Sequence, residues 1–139
     1  MAIGPEFVVL DTSVVSILYN KADAARCAYY QERLAGRRGL ISFQTLEELL
    51  FGLHSSGWGV ARTLRFREHI DKYEVVWLEP ESNLVAIAAR LHSDLQRMGR
   101  TLDVADAWIA ATALMRQCPL ASDDRDFVGI PGLPLIQPR

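Results

Sequence analysis

Apolar residues along this chain fall into short unbroken runs that alternate with longer segments of helical periodicity. The run EFVVLD at residues 6–11 is brief, β-branched and apolar at successive positions, the pattern of a strand covered on both faces in a parallel sheet. Residues 22–36 then carry helix formers and end at Gly36, a natural C-cap. GLISF at 39–43 predicts a second strand, and QTLEELLFGLHSSG after it a helix closed by a Ser/Gly turn. Residues 60–73 form a charged amphipathic pattern, EVVWL a third strand, and ESNLVAIAARLHSDLQRMG and DVADAWIAATALMRQ two further helices. PLAS and LPLIQ supply two late strands. This alternation, free of repeats and low-complexity linkers, predicts an α/β fold: a parallel sheet of about five strands flanked by helices. The 139 residues are read as one domain, 1–139. Gly4-Pro5 would break a strand that begins at Phe7, so residues 1–6 are expected to be disordered or foreign to the domain.

Composition narrows the class. Half the residues are hydrophobic, enough for a real core, yet no apolar run approaches the roughly 18 residues of a membrane span. With no signal-peptide pattern either, a cytoplasmic protein is expected. Cys27 and Cys118 stand far apart without CxxC spacing, so both are expected to be reduced core thiols rather than a disulfide or a zinc site. A net charge of −2 argues against a strongly basic nucleic-acid binder. The basic residues are almost all Arg, grouped at Arg37-Arg38, Arg62-Arg65-Arg67 and Arg97-Arg100. They read either as solvated helix faces or as an Arg rim around an acidic centre, suited to holding phosphates near a metal.

The acids are more specific. Ligands bind open parallel sheets beyond the carboxyl ends of the strands, and Asp11 closes the first strand. Thr12 or Ser13 is expected to cap the following helix, although Asp11 could itself be that cap. Glu47 and Glu48 fall in the expected first turn of the helix after GLISF; they point about 100° apart, and Glu48, flanked by Leu46 and Leu49, fits the sheet edge better. Asp106 is surrounded by Val104, Ala105, Ala107, Trp108, Ile109, Ala110 and Ala111, an environment in which a merely solvated carboxylate is out of place. Asp123, Asp124 and Asp126 follow the fourth strand, where a polar turn would account for one or two of them. Two carboxylates about 5 Å apart repel by roughly 3 kcal/mol at an effective dielectric near 20, and four together by something on the order of 10 kcal/mol. Protons or a cation must relieve this. Oxygen donors without nearby His or Cys select a hard ion, Mg²⁺ or Mn²⁺; His54, His69 and His92 are scattered and are not expected to ligate.

FVVLDTSVV, ISFQTLEELLFG, DVADAWIAATAL and LASDDRDFVGIPGLPLI, in this order and at these separations, resemble the PIN domain, in particular VapC-type toxins of bacterial toxin–antitoxin pairs. The resemblance runs from about residue 7 to residue 137. It implies a Rossmann-like sheet, a Mg²⁺- or Mn²⁺-dependent ribonuclease acting on RNA, a homodimer and inhibition by a small antitoxin protein. Matched residue by residue, Asp11 is the first acid, Glu48 the acid of the TLEEL motif that begins at Thr45, and Asp106 the acid before IAATA. Ser122 stands where the family has Thr, and the fourth acid is Asp124, with Asp126 the alternative; Asp103 has no match and is expected to cap the helix bearing Asp106. Asp11 and Asp106 would hold the metal directly, Glu48 and Asp124 would complete the shell, and Thr12 or Ser13 would bond a phosphate or a ligating carboxylate. The resemblance also implies a groove for the antitoxin beside the acids, with Trp58, Phe51, Leu53 and Leu64 near it. Two rivals stand beside this reading. A phosphoacceptor receiver domain needs a late Lys, and Lys21 and Lys72 do not supply one. A non-catalytic PIN-fold module that binds RNA or a partner differs only in lacking turnover.

Overall fold

The computed structural model describes residues 6–138. What was expected of the first six residues lies outside them except at Glu6, which joins the fold: its carbonyl accepts from the Arg38 N–H at 2.8 Å. The strands β1 (Phe7–Leu10), β2 (Arg38–Ser42), β3 (Glu74–Val76), β4 (Leu120–Ala121) and β5 (Leu135–Ile136) form one parallel sheet in the order β3-β2-β1-β4-β5. The helices are α1 (Thr12–Asn20), α2 (Ala24–Leu34), α3 (Phe43–Ser55), α4 (Val60–Ile70), α5 (Leu84–Arg97) and α6 (Val104–Arg116).

The unbroken apolarity of β1 follows from its central position. Successive residues of a strand face opposite sides of the sheet. Val9 therefore packs with Leu40 and Val76 against Leu91 and Leu95 of α5 and Ile109, Ala110 and Ala113 of α6. Val8 and Leu10 enter the opposite core with Val14, Val15, Tyr30, Leu49 and Phe66 from α1, α2, α3 and α4. Both cysteines are free and buried, as their spacing predicted. Among the described residues no helix is long and apolar enough to cross a membrane.

Three boundaries differ from the expected ones, each for a local reason. α1 starts directly after β1, so Asp11, not Thr12 or Ser13, is its N-cap and accepts from the Thr12 N–H. Ser42 caps α3 by accepting from the Gln44 N–H at 3.1 Å, which begins the helix at Phe43 and moves Glu47 and Glu48 from its first turn into its second. β3 stops at Val76, the residue paired with Ser42, because its partner β2 ends there and turns into α3; Trp77 and Leu78 beyond it are exposed.

Gly39 shows how closely β2 is approached. A Cβ there would lie 2.7 Å from Cδ1 of Tyr73 and 3.2 Å from Cδ1 of Leu10. The Tyr73 hydroxyl is 3.2 Å from Nε2 of His69, which ties the ring at its far end. Gly39→Ala is expected to destabilise the fold by about 1–3 kcal/mol through this overpacking, read as a lower urea midpoint with an unchanged m-value.

Candidate functional site

Four segments deliver carboxylates to the carboxyl edge of the sheet. Asp11, at the end of β1, is buried, and its orientation is fixed from three sides. Its Oδ1 accepts the Thr12 N–H at 2.7 Å, and its Oδ2 accepts the hydroxyls of Ser122 at 2.7 Å and Ser13 at 3.2 Å. Burial raises its pKa above the usual carboxylate range; the three donors oppose the rise and the charge of Asp124 adds to it.

Glu48 reaches the same edge from α3, accepting the Thr12 hydroxyl at 2.7 Å, with the buried Thr45 hydroxyl 3.4 Å from that of Thr12. Burial raises its pKa too, against the Thr12 bond, and Asp11 contributes in the same direction. Glu47 is exposed, as expected of two acids pointing apart on one helix. Thr12 and Ser13 thus each fix a carboxylate of the cluster, Glu48 and Asp11.

Asp106 lies in the first turn of α6, half-buried. Its pKa is pushed up to about 7 by burial first and then by the charges of Asp11, Asp124, Asp103 and Glu48, all acting the same way. Asp103 does occupy the N-cap position of α6, but its side chain makes no capping hydrogen bond.

Asp124 caps the short 3₁₀ turn Arg125–Phe127: its Oδ1 accepts the Asp126 N–H at 2.9 Å, and its own N–H donates to Ser122 Oγ at 3.0 Å. Both alternatives for the fourth acid come close to Asp106. One carboxylate oxygen each from Asp106, Asp124 and Asp126 lies within 4.8 Å of the others. They are not equivalent, since Asp124 is half-buried and acts on Asp11, whereas Asp126 is exposed.

The donor set suits a hard divalent cation: carboxylate oxygens converge, and the electrostatic penalty already raising Asp106 toward neutrality is what such an ion removes. Asp106, Asp124 and Asp126 are the residues whose carboxylate oxygens come close enough together to hold one.

The supporting shell was less visible in the sequence. Ser122, fully buried, bridges Asp11 to the Asp124 loop; the sequence marked it only as a polar residue ending an apolar strand and standing where the family has Thr. Asp123 accepts from the Tyr30 hydroxyl at 3.0 Å and pairs with Arg26, while its N–H donates to Ser13 Oγ at 3.3 Å, so α2 is tied to the site.

The expected Arg rim is only partly there. Arg37 pairs with Glu6 and Arg38 with Glu74 at the amino end of the sheet, and Arg97 pairs with Asp94 on α5. Arg100 does reach the acidic loop, donating to the Asp126 carbonyl at 3.0 Å. The residues expected near a groove also divide: Phe51 and Leu64 are exposed, whereas Leu53 is buried core and Trp58 is half-buried against Phe66 and Tyr19.

Ribonuclease VapC5 of Mycobacterium tuberculosis (strain ATCC 25618 / H37Rv) is 28% identical over 137 residues, covering 99% of this chain and 97% of that protein. The crystal structure of VapBC-5 from Mycobacterium tuberculosis, a member of the VapBC family of toxin-antitoxin systems, matches with a TM-score of 0.69 at 26% identity, over 96% of this chain and 100% of that one. VapBC2 from Rickettsia felis, crystallised bound to a DNA fragment from their promoter, matches in fold with a TM-score of 0.80 at 19% identity, over 94% of this chain and 98% of that one. The homologues are VapC toxins of VapBC toxin–antitoxin systems. The PIN-domain family model matches residues 8–133, and the chain belongs to the PIN-domain family.

Proposed function

We propose that this protein is a Mg²⁺- or Mn²⁺-dependent endoribonuclease of the VapC type, held inactive by a small antitoxin protein. The observation that carries the reading is the meeting of Asp11, Glu48, Asp106 and Asp124 at one sheet edge, with Asp106 raised to about 7 by burial and by the other three acids together with Asp103. Asp11 and Asp106 are assigned as direct ligands, with Glu48 and Asp124 completing the shell. A bound cation would supply a more acidic water and neutralise charge building on the phosphate oxygens.

The chain's own residues do the rest. The Ser122 and Ser13 hydroxyls and the Thr12 N–H hold the Asp11 carboxylate in one orientation, so it need not reorganise when substrate arrives. Thr12 does the same for Glu48. Asp106 gives up its proton as the site is loaded. Arg100, anchored on the Asp126 carbonyl, keeps a guanidinium at the rim, where a phosphodiester must enter.

Water, rather than the RNA 2′-hydroxyl, is the nucleophile in this chemistry, so the products are expected to carry 5′-phosphate and 3′-hydroxyl ends. Incubation of the purified protein with single-stranded RNA, followed by mapping of the cut ends, checks this. EDTA is expected to stop cleavage, Mn²⁺ or Mg²⁺ to restore it, and Ca²⁺ to support binding better than turnover. Cyclic-phosphate products, or full activity after exhaustive chelation, would remove the acids from the chemistry.

The antitoxin reading is supported by relatives crystallised as toxin–antitoxin complexes, among them one from Klebsiella pneumoniae. A co-encoded small protein is expected to copurify with this chain and to suppress its cleavage of RNA.

A further inference from the structure

The chain contains only two lysines, and the fold brings both to one cavity. Lys21, the C-cap of α1, and Lys72, just beyond α4, line a cavity of about 500 Å³ together with Arg65 and His69 of α4 and the rings of Tyr19 and Tyr73. Glu68 is the one carboxylate among its lining residues. Among the described residues, neither lysine nor Arg65 has a carboxylate within ion-pair distance. Attraction to helix C-termini accounts for cations at Lys21 and Lys72, at the ends of α1 and α4, but not for Arg65 within α4. His69, half-buried between them, is held below its usual pKa by burial first and then by the charge of Lys72, with that of Lys21 adding to it.

A second cavity, of about 210 Å³, also has Tyr19 in its lining, with Ser16, Trp58, Thr12 and Glu48. Arg62 lies over the Trp58 ring at 3.9 Å, one more cation beside this second cavity. From Asp11 to Lys21 is about 15 Å along α1 at 1.5 Å per residue.

We propose that the cavity lined by Lys21, Arg65 and Lys72 is a phosphate-binding subsite that holds the backbone of single-stranded RNA about one helix length from the acid cluster. The proposal rests on the nuclease reading above. A cluster of carboxylates repels a polyanion wherever a cation does not cover it, so a protein of net charge −2 draws substrate in through cations placed away from the acids, here at the other end of α1. The rings of Tyr19 and Tyr73 are already packed, Tyr19 against Trp58, Phe66 and His69 and Tyr73 against Gly39 and His69, so the cations are what hold the strand. An acidic peptide would use the same cations; the nuclease reading is what favours RNA.

The test uses Lys21→Gln/Arg65→Gln/Lys72→Gln, whose three sites are exposed, and the charge-retaining Lys21→Arg/Lys72→Arg. Fluorescence anisotropy of a single-stranded RNA oligonucleotide in EDTA, titrated with salt, measures binding without turnover; cleavage of the same RNA in Mn²⁺ is followed in parallel. The triple variant is expected to lose at least about tenfold in affinity at low salt, and its slope of log K against log salt should flatten by about 2, near 0.7 for each lost contact. The charge-retaining variant should keep both. An unchanged slope in the triple variant, with wild-type cleavage intact, overturns the subsite alone. Absence of wild-type cleavage in Mn²⁺ defeats the nuclease reading, and the anisotropy slopes then still decide whether the cavity holds RNA. RNA binding unchanged while affinity for a polyglutamate peptide falls assigns the cavity to an acidic protein partner and overturns the proposal.

Discussion

Asp106→Asn is expected to make the cation-free protein more stable at neutral pH while lowering metal-dependent cleavage by at least about a hundredfold. The amide keeps the shape of the carboxylate and removes its charge. In the wild type, the Asp106 pKa rises from 3.8 to about 7 on folding, so between those values the folded state binds more protons than the unfolded one. Stability therefore falls as pH rises across that window and levels off above it. The variant lacks this loss. The two proteins should be alike near pH 4 and diverge by about 1–2 kcal/mol above pH 7, less than full linkage would give because the side chain is partly in water. In thermal melts this is a difference of roughly 3–8 °C. Mn²⁺ should raise the wild-type midpoint and leave that of the variant nearly unmoved. Equal melting curves at every pH, with unchanged Mn²⁺ affinity in calorimetry, would show that Asp106 is outside any repelling cluster.

The parts of this picture legible in the sequence are those set by local pattern. Val8, Val9 and Leu10 are apolar in succession because β1 lies at the centre of a sheet with helices on both sides, and continuous apolarity is what such a strand must have. Asp106 stood out for the converse reason, a carboxylate among alanines on a helix whose residues just beyond it, Ala107 and Ile109 to Ala111, are buried. Glu48 reaches the Thr12 hydroxyl while Glu47 is exposed, because two adjacent helical positions cannot face the same way.

Contacts made across the fold were not legible. Asp11 as both cap and cluster member depends on α1 starting without a loop, and the α3 start depends on one Ser42 hydroxyl. That Asp126 as well as Asp124 comes within 4.8 Å of Asp106 reflects the tight 3₁₀ turn, which no residue count along the loop reveals. Grouping the arginines by sequence neighbourhood misplaced Arg37 and Arg38, because β2 begins at the amino edge of the sheet, opposite the acids. The pairing of Lys21 with Lys72 is of the same kind: the ends of α1 and α4 meet only in the folded chain.

Phe127→Ala is expected to cost the fold about 3–5 kcal/mol and, unlike an ordinary core truncation, to reach the acids as well. Phe127 is fully buried, packed in the core formed by the α5 and α6 face of the sheet with Leu120, Ile130 and Leu133. It also ends the 3₁₀ turn that Asp124 caps and Asp126 belongs to, so the ring anchors the loop carrying two of the three convergent carboxylates. Typical domains have only about 5–15 kcal/mol of stability, so the loss is a large fraction and should lower the melting temperature by roughly 10 °C or more. Measured in urea at a temperature where the variant remains folded, its Mn²⁺ affinity should fall too, because Asp124 and Asp126 are no longer held. Phe127→Leu, which refills much of the volume, should recover most of both. The neighbouring Val128 is exposed, and Val128→Ala should stay within about 0.5 kcal/mol of wild type. A Phe127→Ala protein that loses stability but binds Mn²⁺ as the wild type does would show that the loop is held by the Ser122 and Gln137 hydrogen bonds alone, Gln137 Nε2 donating to the carbonyls of both Ser122 and Asp124 at 2.9 Å.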